Sequence, residues 1–173
     1  MKKLSKIVAL LLAGAMAMVM LTACSGGTTA DTEKEEAIRK QLGKRTEATS
    51  LCDRDGKVEN DSQLYKETAK LLDARIKAET SAFGILAVDF DVKGIDPVEQ
   101  YVTVTLSADY KTAGLVAGLI TKITEELGKI ESTNNSVKLD TEWAKAAVVV
   151  RTNEKGSYAA IAIQVKNIAY KGK

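Results

Sequence analysis

The chain has 173 residues, with 25 lysines and arginines against 23 aspartates and glutamates (net +2), two cysteines and no histidine. Without histidine, Ser-His and Cys-His nucleophile pairs, histidine-ligated metals and imidazole acid-base chemistry are excluded, so any catalysis falls to carboxylates, lysine, tyrosine or serine. Nearly balanced charge and an aromatic content of 5% offer no basic, aromatic-studded surface for nucleic acid.

Lys2, Lys3 and Lys6 precede an apolar run from Ile7 to about Leu21. The run is too short and too abruptly ended to span a bilayer, which is the layout of a secretory signal. It closes on Leu21-Thr22-Ala23-Cys24, which resembles the lipobox of bacterial lipoproteins. The resemblance implies that 1–23 is a removable signal peptide and that the Cys24 thiol carries a diacylglyceryl group. The protein would then be held on the extracytoplasmic side of the cell membrane, since two acyl chains anchor stably where one does not. Processing would leave 150 residues and lower the basic count to 22 against 23 acids, a side-chain sum of −1. With Cys24 blocked, Cys52 has no partner for an internal disulfide.

Residues 25–31, "SGGTTAD", have the composition of a flexible tether, so residues 24–31 are expected to link the membrane to one globular domain over 32–173. A helix is expected next, with Thr32 and Glu35 at capping-box spacing and Glu35/Arg39 and Glu36/Lys40 as i,i+4 pairs. Its apolar side is thin, mainly Ile38 and Leu42, which predicts light packing. After "LCDRDGKVEND", a second helix is expected from about Ser62 to Glu79. Asn60 or Asp61 would be its N-cap, and Leu64, Tyr65, Ala69, Leu72 and Ile76 would form one stripe.

From Phe83 the apolar period becomes two, with Leu86, Val88, Phe90 and Val92 on one side and Ile85, Ala87, Asp89 and Asp91 on the other. "KGIDP" then turns the chain into an alternating run through Val98, Val102, Val104 and Leu106, predicting an antiparallel hairpin. Between Asp109 and Ile130 the period is helical again, with Val116, Leu119, Ile120, Ile123, Leu127 and Ile130 on one side. Gly114 and Gly118 would permit close backbone approach there.

A polar loop, "ESTNNSVKLDTE", leads to two last strands, Trp143 to Arg151 and Ser157 to Asn167. Ala146, Val148 and Val150 should share a face with Ile161, Ile163 and Val165. The other face would carry Trp143, Ala147, Val149, Tyr158, Ala160 and Ala162. A hairpin apolar on both faces calls for layers above and below it. The expected fold is therefore α/β, of the α+β kind: a single three-layer α-β-α sandwich around one antiparallel sheet of about four strands.

That element order, and the stretch "AVVVRTNEKGSYAAIAIQV" from Ala147 to Val165, resemble the CAP superfamily (cysteine-rich secretory, antigen 5 and pathogenesis-related proteins). Its terminal hairpin has a Gly turn and a Tyr-bearing strand. The resemblance implies a three-layer sandwich of the kind found in bacterial surface proteins. Family members with an intact cleft carry two histidines and two acids there; this chain cannot, so the implied role is binding by a degenerate relative, and no functional residue carries over.

Four features invite a functional reading. Asp53, Asp55, Glu59 and Asp61 crowd one loop, but Lys57 sits at the fifth position of a calcium-loop pattern and Leu64 stands where the bidentate acid belongs. An exposed turn with a helix cap is expected instead, and neither a metal nor a cofactor is assigned. Asp89 and Asp91 share a strand face about 6.5 Å apart at ~3.3 Å rise per residue, near the spacing of an inverting glycosidase pair. Neighbours on one strand point the same way, which favours a solvent-facing row. Cys52 beside Asp53 and Arg54 has no histidine to act as base. Trp143 and Tyr158 would form an aromatic contact patch if no helix covered them. Two functions follow as expectations: a lipid-anchored binding or interaction module with an envelope ligand or protein partner, or a carboxylate-dependent hydrolase of cell-wall carbohydrate using Asp89 and Asp91.

Overall fold

The computed structural model describes residues 28–79, 86–113 and 116–172. The signal-like run, Cys24, Phe83, Ile85 and Gly114 lie outside the described residues. Five strands form one open antiparallel sheet: β1 (Thr29–Ala30), β2 (Asp89–Ile95), β3 (Val98–Asp109), β4 (Leu139–Asn153) and β5 (Gly156–Asn167), in the order β1-β4-β5-β3-β2. With its helices, the fold is α+β. The sheet has one strand more than expected because Thr29 and Ala30, placed in the tether by composition, pair with Thr152 and Arg151. Small polar residues make a weak local signal, and a waiting strand edge overrides it.

Among the described residues four helices flank the strands: α1 (Thr32–Leu42), α2 (Ser62–Glu79), α3 (Tyr110–Ala113) and α4 (Val116–Thr133), with a 3-10 helix at Thr46–Leu51. Against one sheet face, Ile38 and Leu42 of α1 and Leu119, Ile120 and Ile123 of α4 pack on Val104, Val148, Ile161 and their neighbours. Against the other, α2 lays Leu64, Ala69, Leu72 and Ile76 on Ala147, Val149, Tyr158, Ala160 and Ala162. The run of alanines beneath α2 lets that single helix lie close, while the bulkier Val and Ile side fills the space under two helices. Each fully buried Leu or Ile contributes roughly 1.5–3 kcal/mol of transfer free energy. The α2 boundaries and stripe are those expected from periodicity, and Asp61 is its N-cap. Its carboxylate accepts from the Gln63 and Leu64 N–H groups at 3.2 and 2.9 Å. The Leu64 N–H, outweighing partial burial, and Lys145 hold that carboxyl below its ordinary range.

Helix α1 departs from expectation. It does not pack lightly: Ile38 and Leu42 are buried. No capping box forms, because Asp31 caps the helix by accepting from the Lys34 N–H at 3.2 Å. Glu35 instead points into the protein, where its Oε1 accepts from the Val150 N–H and from the Tyr65 hydroxyl, each at 2.9 Å. Arg151 Nη1 stands 3.9 Å from the same oxygen, and Arg151 Nε reaches Asp73 at 3.1 Å. Glu36 pairs with Lys57 at 2.6 Å rather than serving the helix alone.

These groups close the outer edge of β4. Beyond the two pairs made by β1, the Asp31 N–H donates to Val150 O at 3.1 Å and Glu35 takes the Val150 N–H. Asn60 bonds both backbone groups of Val148, accepting at 2.9 Å and donating at 3.3 Å, and the Asp61 N–H donates to Ala146 O at 2.9 Å. An edge strand with open N–H and C=O groups templates aggregation; here the backbone N–H groups of Asp31 and Asp61 and the side chains of Glu35 and Asn60 occupy it in turn.

At the other edge, β2 and β3 form the expected hairpin, interrupted by a register shift between Lys93 and Ile95. Leu86 does not continue the β2 face: it lies before the strand and packs with α2, whereas Phe90 and Val92 pack on the α4 side. Gly118 meets open space rather than a close neighbour. Among the described residues no helix is long and apolar enough to cross a membrane.

Candidate functional site

A largely apolar cleft of about 330 Å³ lies between the C-terminal half of α4 and the start of β4. Leu127, Leu139, Trp143 and Val165 form its floor, and Glu47, Glu131 and Asp140 stand on its rim. Its geometry comes from an irregular stretch of β4. Trp143 pairs with Val165 but Lys145 pairs with Gln164, so two steps on β4 match one on β5. Such a bulge reverses which side of the sheet a residue faces.

That reversal corrects the expected placement of Trp143. Strict alternation puts it with Lys145 and Ala147; the bulge turns it to the α4 side, where it joins the main core. Tyr158 stays on the predicted face and is buried beneath α2. At 5% and 0% exposure respectively, the two rings lie on opposite faces and make no surface patch. Gly128 of α4 leaves open space where a side chain would stand and so keeps the cleft mouth wide.

On the rim, Glu131 accepts from the Leu139 N–H at 3.3 Å, tying the end of α4 to the first residue of β4. Glu47 pairs with Arg45 at 3.0 Å. Its own backbone N–H, then Arg45 and Thr46, outweigh partial burial and hold its carboxyl below the ordinary range. Glu47 is therefore an ionised group at neutral pH, the opposite of what a general acid needs.

A second groove, of about 480 Å³ and mostly polar, runs past Cys52, Asn60, Asp61 and Lys145. Its polar groups serve the fold: Asn60 holds β4, and Asp61 caps α2 and pairs with Lys145 at 3.3 Å. The half-buried Cys52 Sγ donates to Ala48 O at 3.3 Å. In the acidic loop, Asp53 Oδ1 accepts from the Asp55 and Lys57 N–H groups, both at 2.9 Å. This closes a turn rather than a cation site. Among the described residues no group of three or more acids, cysteines or histidines could hold a metal ion.

Asp89 and Asp91 do not meet across a cleft. Their side chains are 60% and 41% exposed; Asp89 pairs with Arg75 of α2 at 3.4 Å and Asp91 with Lys93 at 4.0 Å. Arg75 also donates to the Ser107 hydroxyl. Both carboxylates are more than a third exposed, and pairs screened in this way contribute less than about 1 kcal/mol. Asp89→Asn and Asp91→Asn should therefore each leave the urea midpoint within the small shift that such a pair allows; a larger loss would show that the row supports the fold.

Glu131, Leu139 and Asp140, which shape the apolar cleft, fall in the loop that sequence marks only as polar. The one legible signal was a lone tryptophan directly after it. Comparison with known proteins finds no matching family model, no matching curated relative and no matching solved structure.

Proposed function

We propose that the chain is a lipid-anchored extracytoplasmic protein whose single domain binds a ligand or partner rather than catalysing a reaction. The anchoring part rests on the Leu21-Thr22-Ala23-Cys24 sequence: small residues before the cysteine suit signal peptidase, and a diacylglyceryl group on Cys24 holds the domain to the membrane. The binding part rests on one observation, the apolar-floored cleft under α4 with an ionised Glu47 on its rim. Ligand sites are typically concave, largely apolar and edged by a few polar groups.

In the same reading the domain is a three-layer α-β-α sandwich and a degenerate relative of the CAP superfamily. Support comes from α1 and α4 packing against one sheet face and α2 against the other, together with the terminal hairpin of β4 and β5.

Expression of the full chain in a bacterium fed a labelled fatty acid tests the anchor. The wild type should incorporate label and fractionate with membranes, and Cys24→Ser should do neither. Equal labelling of the two would sink the lipoprotein reading.

A further inference from the structure

We propose that the cleft between α4 and β4 takes a cationic group carried on an apolar body, an ammonium or guanidinium joined to an aromatic or aliphatic portion. This rests on the binding reading above and names the ligand class for that site.

Three carboxylates, Glu47, Glu131 and Asp140, stand over a floor of Leu127, Leu139, Trp143 and Val165, and no lysine or arginine lines the cleft. Arg45 neutralises Glu47, which leaves the exposed Glu131 and Asp140 to set the sign of the field. Low-dielectric walls strengthen that field inside a concavity. An anion is repelled there, and a small hydrated cation gains nothing from the floor. A cation with an apolar body satisfies both parts.

Trp143 is the single tryptophan of the chain, so its fluorescence reports on the cleft directly. The full chain in detergent micelles would be titrated with 2-phenylethylammonium, with 2-phenylethanol as neutral twin and 3-phenylpropionate as anionic twin. Expected are a saturable change with the cation, affinity for the alcohol weaker by about tenfold or more, and no saturation with the anion. The double variant Glu131→Gln, Asp140→Asn keeps an acceptor for the Leu139 N–H and should bind cation and alcohol alike. Gly128→Leu, which grows into open space, should abolish the response to both. Equal affinity of the wild type for cation and alcohol, or no saturable response, overturns the ligand class even if Cys24 labelling succeeds. Failed labelling with the titration intact overturns the anchor and upholds the ligand class.

Discussion

Glu35→Ala is expected to lower the unfolding free energy by roughly 2–4 kcal/mol, the sum of a buried backbone N–H left unpaired and a broken buried ion network. The reason is geometric. One carboxylate oxygen accepts from both Val150 N–H and Tyr65 O–H, with Arg151 close by, so its removal strands groups from β4 and α2 together. Glu35→Gln keeps an acceptor oxygen and should recover much of the loss. Urea denaturation read by circular dichroism distinguishes the variants, and an alanine variant as stable as wild type would remove Glu35 from any part in closing the β4 edge.

The same residue sets a pH dependence with a definite sign. Burial pushes the Glu35 carboxyl above its ordinary value of about 4.5, and the Val150 N–H, Tyr65 and Arg151 pull it back only in part. The native state therefore holds this proton more tightly than the unfolded chain does. That contribution to stability is fully present below pH ~4.5 and is lost as pH rises through the native value. The Glu35→Gln variant lacks it, so its stability relative to wild type should improve between about pH 4 and about pH 7. A parallel pH profile for the two proteins would contradict the assignment.

The second large effect is expected at Gly94→Ala. Gly94 has φ +85°, a conformation costing other L-residues about 1–2 kcal/mol, and an added Cβ would collide with the Tyr101 carbonyl oxygen of β3. Forcing atoms into such a contact costs typically 1–3 kcal/mol more. Gly94 sits at the register shift between Lys93 and Ile95, where a left-handed glycine lets one extra residue bulge out of the ladder. The variant should unpair β2 from β3, with faster amide exchange at Val92 and Val104 and a fall in stability of about 2–4 kcal/mol. Unchanged exchange across the hairpin would mean that the bulge tolerates a side chain.

Much of the scaffold was legible from residue order. The Leu64-to-Ile76 stripe, the Leu119-to-Ile130 stripe and the alternation through β3 and β5 each repeat a local period strongly enough that tertiary contacts reinforce it. β4 and β5 are apolar on both faces, and Val148 and Val149 are buried in separate clusters, because an open sheet cannot leave both exposed to water.

What escaped was whatever depends on partners distant in sequence. Thr29 and Ala30 carry no strand signal of their own and became β1 because β4, more than a hundred residues later, offered an unpaired edge. Glu35 has capping-box spacing, yet a buried Val150 N–H was a stronger claimant than the helix end. Trp143 changed face because one bulge shifts the parity of every residue beyond it. Sequence order thus settled the types of element and their apolar faces, which follow from periods of 3.6 and 2 along the chain. The closure of the β4 edge and the cleft under α4 were settled by folding in three dimensions, since each joins groups whose spacing along the chain carries no period at all.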